Sequence, residues 1–121
     1  MSKNPSITGN KYKFPVERRK HKRIALDATV NSFILNGSKI REKLQIINIS
    51  KEGICFLTSY DIKVGDLIEV YVYIPGSISI PIMVRIIWRG YRDESYAYGG
   101  QIIAINELYR GVLNSYIEKN L

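Results

Sequence analysis

The sequence predicts an all-β domain with a C-terminal helix: a six-stranded antiparallel β-barrel with a helix at one end. Three observations predict it. Apolar and polar residues alternate through most of the stretch from Ile24 to about residue 105, the period of half-buried strands. Turn dipeptides, Asn36-Gly37 and Pro75-Gly76, punctuate that alternation. After Asn106 the apolar spacing lengthens to that of a helix face.

Residues 1–17 hold Pro5, Gly9 and Pro15 among few apolar groups, which predicts a flexible basic leader, with the barrel over residues 18–121. In the first strand Ile24, Leu26, Ala28, Val30 and Ile34 alternate with Asp27, Thr29 and Asn31. Asn36-Gly37 then reads as a hairpin turn, since both residues tolerate positive φ. The second strand is expected at about 39–47, and Gly53 opens a short third strand from Ile54 to Thr58. Ile68, Val70, Val72 and Ile74 alternate with Glu69, Tyr71 and Tyr73 as the fourth. Pro75-Gly76 fits the central positions of a type II turn. A fifth strand runs through Val84 to Arg89, with Pro81 at an edge or bulge near its start. A polar turn at Arg92–Ser95 leads to the sixth, at about 96–105. The helix is expected over 106–119. Leu108, Val112, Leu113, Tyr116 and Ile117 form its apolar face, Asn106 is its N-cap, and Gly111 weakens it by about 1 kcal/mol relative to Ala.

A chain of 121 residues makes one domain, able to bury roughly two-thirds of its unfolded surface. The formal charge of +7 is unevenly placed. Residues 1–23 carry eight Lys and Arg against Glu17 alone, whereas from Ile24 onward ten basic residues meet ten acidic ones. A neutral body argues against a broadly basic nucleic-acid surface and for one positive segment that meets an anion. No apolar run follows the N-terminal basic residues, so a signal peptide is not expected. The longest uncharged stretch, Val70 to Val84, is broken by Pro75, Gly76 and Pro81 and is too short to span a bilayer. A cytoplasmic location is therefore expected. Cys55, the only cysteine, lies between Ile54 and Phe56 and is expected to be buried and unreactive.

Two short motifs carry the chemistry. Residues 18–23 read Arg-Arg-Lys-His-Lys-Arg, placing Arg19 and Arg23 in RxxxR spacing at the foot of the first strand. Residues 48–53 read Asn-Ile-Ser-Lys-Glu-Gly, an NxSxxG turn between the second and third strands. An Arg fork meets the O6 and N7 of a guanine edge, or two phosphate oxygens, with parallel hydrogen bonds that Lys cannot reproduce. Asn48 and Ser50 add a carboxamide and a hydroxyl, and Gly53 admits close backbone approach or positive φ. Each motif alone is an ordinary solvated basic run or turn composition. Composition alone would stop at a small basic β domain with an anion site.

In this order and separation, ahead of this strand pattern, the pair resembles the PilZ domain, a bacterial receptor family for cyclic di-GMP. The resemblance covers about residues 17–105 and extends to Trp88 and to Tyr98-Gly99-Gly100. It implies a PilZ-like barrel with Arg19 and Arg23 gripping cyclic di-GMP and Asn48, Ser50 and Gly53 forming the polar turn. Asp is the commoner family residue at the position of Asn48. Trp88 and Gly100 are further ligand positions by the same carry-over, although Trp88, beside Ile86 and Ile87, is expected chiefly in the core. Arg18 resembles the extra guanidinium of members that take an intercalated cyclic di-GMP dimer. The implied mechanism is an arm that orders over the ligand and passes the change to a protein partner controlling motility or exopolysaccharide.

Other chemistry finds no support in the sequence. His21 is the only histidine and sits in a basic run, so with one His and one Cys no structural zinc set forms. Ser50 has no His near in sequence to act as base, and no phosphate loop or dinucleotide fingerprint occurs. Neither an enzyme nor a cofactor is expected. Two alternatives remain: a small barrel binding single-stranded nucleic acid through its basic arm and nine tyrosines, or a ligand-free PilZ-like adaptor.

Overall fold

In the computed structural model, residues 22–92 and 94–121 are described; the leader and residues 18–21, Arg18 and Arg19 among them, lie outside the described residues. Eight strands and one helix follow in order: β1 (Ile24–Val30), β2 (Phe33–Leu35), β3 (Ser38–Ile40), β4 (Leu44–Ile49), β5 (Gly53–Thr58), β6 (Leu67–Tyr73), β7 (Ser79–Arg92), β8 (Ser95–Ala104) and α1 (Glu107–Lys119). All pairings are antiparallel, in the order β1-β4-β5-β8-β7-β6-β2-β3. The sheet curls because β1 and β2, consecutive in the chain, pair with opposite parts of it: β1 with β4, and β2 with β6.

The expected all-β class with a C-terminal helix is what the structure shows, with eight strands in place of six. The first expected strand breaks at Asn31-Ser32, where the chain leaves one neighbour for another. The phase changes there: Val30 is half-buried, Phe33 is buried, and Ile34 pairs outward with Glu69 instead of facing in. The second breaks at residues 41–43 into β3 and β4. Asn36 and Gly37 both hold positive φ, 48° and 88°, and Asn36 ties the β2–β3 hairpin to β6 by accepting from Leu67 N at 3.0 Å.

Ile46, Phe56, Ile68, Val72, Ile82 and Ile86 sit at the centre of the core. Tyr98 stacks on Phe56 at 5.3 Å, and its hydroxyl holds the loop after β5, accepting from Ile62 N at 2.7 Å and donating to Tyr60 O at 2.8 Å. Asn106 caps α1 by accepting from Leu108 N at 2.9 Å. The helix docks through Leu113 and Ile117, with Tyr109, Val112 and Tyr116 partly buried beside them. Leu108 departs from the expected face: it is 79% exposed, because the docked stripe runs one residue on, through 109, 113 and 117.

Three of the four irregularities of register decide which side chains of this corner reach the outer face. They fall between Ala25 and Ala28 on β1, Ile46 and Asn48 on β4, and Ile86 and Trp88 on β7. A bulge sets an extra residue on one strand and turns consecutive side chains to the same face. Ile47 and Asn48 are accordingly both half-buried between buried Ile46 and Ile49, and Ile87 and Trp88 are both exposed after buried Ile86.

Candidate functional site

The NxSxxG segment is the β4–β5 turn, and the structure explains its composition locally. Ser50 N donates to Gly53 O at 2.8 Å. The Ser50 hydroxyl, 5% exposed, accepts from Gly53 N at 3.0 Å and Glu52 N at 3.3 Å, holding two amides of the tight turn. Ser50 thus shapes the turn from within. Gly53 is needed for close approach and not for positive φ, which it does not adopt. A Cβ there would lie 3.1 Å from Gly100 O and 3.8 Å from the Arg23 Nη2.

Arg23, just before β1, reaches across to β4 and donates from Nη1 to Asn48 Oδ1 at 3.0 Å. The fold therefore gathers Arg23, Asn48, Ser50 and Gly53, residues up to thirty positions apart, at one corner of the outer face. The carboxamide satisfies one guanidinium donor without neutralising its charge, as a carboxylate would.

Cross-strand register extends this corner into a row. Ala25 pairs with Asn48, Asn48 with Cys55, Cys55 with Gly99, and Gly99 with Trp88. Three strand spacings, about 14 Å along the curved sheet, separate Asn48 from Trp88. The indole lies flat over Gly99: a Cβ on that glycine would fall 2.0 Å from Trp88 Nε1. Trp88 is 42% exposed, which corrects its expected place in the core. Strict alternation after Ile82, Val84 and Ile86 would bury it; the bulge at Ile87 turns it out. Cys55 also departs from expectation. With Ile54, Phe56 and Thr58 facing inward, its thiol is half-buried on the outer face between Asn48 and Gly99. That position was legible from the alternation of β5, whereas no sequence signal announces the bulge or the role of Gly99.

Gly100 stands apart. It pairs with Ile54 and Ile86, both buried, and a Cβ there would fall 2.1 Å from Val84 Cγ1, so the glycine makes room for the core and not for the outer row. Beside the row an open groove of about 650 Å³ is lined by Asp27, Thr29, Lys43, Gln45, Leu57 and Ser59. Its polar edges suit a ligand with hydrogen-bonding groups. Among the described residues no group of His, Cys, Asp and Glu side chains is placed to hold a metal ion, and no helix is long and apolar enough to cross a membrane.

Comparison with known proteins bears on the family and the fold. The family model described as the PilZ domain matches residues 17–119. A search of curated proteins finds no significant sequence match. Among solved structures, the Bacillus subtilis inhibitor of motility (MotI/DgrA) superposes with a TM-score of 0.67 at 16% identity, over 84% of this chain and 50% of that one. The chain thus spans half the length of that neighbour, and the likeness is one of fold.

Proposed function

The chain belongs to the PilZ domain family, a family of cyclic di-GMP receptors that regulate and do not catalyse, and on that premise we propose that it binds cyclic di-GMP on the outer face of its sheet. The observation that carries this reading is the Arg23–Asn48 contact beside Gly53, which sets a guanidinium fork against the polar turn at the end of the row leading to Trp88. Arg23 meets a guanine edge or a phosphate; the Trp88 indole offers a flat face for a base about one dinucleotide length away. Arg19 supplies the second fork by its RxxxR spacing, and Arg18 a third that serves an intercalated second ligand. Closure of that arm has to offset the conformational entropy it loses, and charge-assisted bonds are the contribution that offsets it.

The bound form then engages a protein partner. The structural neighbour's name, inhibitor of motility, favours motility over exopolysaccharide as the output. Isothermal calorimetry with cyclic di-GMP, linear GMP and a short single-stranded oligonucleotide, run in parallel, tests the ligand. Affinity in the sub-micromolar to micromolar range, about −8 kcal/mol or stronger, is expected for cyclic di-GMP alone. Equal affinity for GMP, or preference for the oligonucleotide, sinks the proposal.

A further inference from the structure

The polar turn is gripped from two sides. On the barrel side, Ser50 closes it and Glu52 O accepts from Ile102 N at 2.8 Å. On the other side stands α1. Arg110 Nη1 donates to Lys51 O at 3.1 Å, and Lys51 Nζ pairs with Glu118 Oε2 at 2.8 Å. Arg110 and Glu118 are two helical turns apart, so one stripe of α1 holds both ends of Lys51, the residue between Ser50 and Glu52. Asn114 lies midway on that stripe, and its carboxamide oxygen is buried without a hydrogen-bond partner.

A helix docked only for stability would present apolar groups here, because an unmet buried acceptor opposes docking. This stripe is instead polar, and Arg110 and Glu118 both engage one residue of the turn. We propose that the Arg110–Asn114–Glu118 stripe positions the β4–β5 turn, so that the seating of α1 and ligand occupancy beside Arg23 and Asn48 are coupled. The positioning stands on the contacts alone; the coupling rests on the proposed binding of cyclic di-GMP. Coupling is reciprocal, so a loosened α1 weakens the ligand and the ligand steadies α1.

Amide hydrogen exchange and calorimetry on the full chain test this in Arg110→Gln and, separately, Glu118→Gln. Amides 52 and 53 are expected to exchange faster in both variants while those of Leu113 and Ile117 keep their protection, which shows that α1 is still folded. Affinity for cyclic di-GMP is expected to fall about fivefold, the lower end of typical coupling. Saturating cyclic di-GMP is expected to slow exchange along α1 in the parent. Unchanged exchange at residues 52 and 53 in both variants overturns the positioning, whatever the ligand does. Faster exchange with unaltered affinity overturns the coupling. A parent that binds no cyclic di-GMP removes the ligand reading and the coupling together, and the exchange result still decides the positioning.

Discussion

Arg23 and Ser50 lie in the same corner but act through different groups, and substitution separates them. Arg23→Ala removes a charge-assisted donor on a half-buried side chain and is expected to weaken cyclic di-GMP by about 1.5–3 kcal/mol, with little effect on folding. Lys22→Ala, at an exposed position, should change affinity by less than about twofold, since its point charge is screened at physiological salt. Equal losses in both variants would mean that bulk charge, not a specific grip, holds the ligand. Ser50→Ala should lower stability as well as affinity, by about 1–3 kcal/mol, because it strips the acceptor from the Glu52 and Gly53 amides; urea midpoints of the two alanine variants make the comparison. Trp88 is the only tryptophan and lies over Gly99, so its fluorescence reads the row directly. Gly99→Ala must displace the indole and is expected to shift the emission to the red; an unmoved spectrum would contradict this packing.

At the scale of elements, the tether between α1 and the turn is titratable. Hydrogen bonding and charge from Lys51 hold the Glu118 carboxyl below its ordinary value of 4.5. A carboxylate with a depressed folded pKa stabilises the folded state fully above its unfolded value, and that contribution is lost as pH falls through the folded one. The amides of residues 52 and 53 are therefore expected to exchange faster below about pH 4.5 in the parent, and to show no such added step in Glu118→Gln, when each is compared with its own value at pH 7. Identical acid profiles would show that the pair contributes nothing. The strands themselves were partly legible. Alternation located six strand regions, short by five residues at the start of β7, and the Asn-Gly dipeptide placed the hairpin. The splits at Asn31-Ser32 and residues 41–43 were not legible, since alternation says which face a residue takes and not which strand it pairs with. The bulges at Ile47 and Ile87 were hidden for the same reason: an extra residue is defined only by the partner strand opposite it.

At the scale of the whole molecule, the charge is divided from the body. The excess of +7 lies within residues 1–23, ahead of a sheet that is neutral in sum. Two stacked cyclic di-GMP molecules present four phosphates, more than Arg19 and Arg23 can satisfy, and Arg18 adds a third guanidinium. Titration at protein concentrations well above Kd is expected to break at two ligands per chain, and at one in Arg18→Ala. A break at one that Arg18→Ala leaves unmoved would assign that residue to solvent and keep the receptor reading.

The sequence by itself determined the all-β class, the C-terminal helix with its Asn106 cap, the tight turns and the two motifs, because each follows from local periodicity or from residue types at short spacing. Only the tertiary structure decided that Ser50 serves the turn from within, that Gly100 belongs to the core while Gly99 seats the indole, and that Trp88 and Cys55 share the outer row with Asn48. Those outcomes depend on register between strands far apart in the chain. A shift of one residue reverses every face, and it is the bulges, set by packing across the sheet, that choose the register.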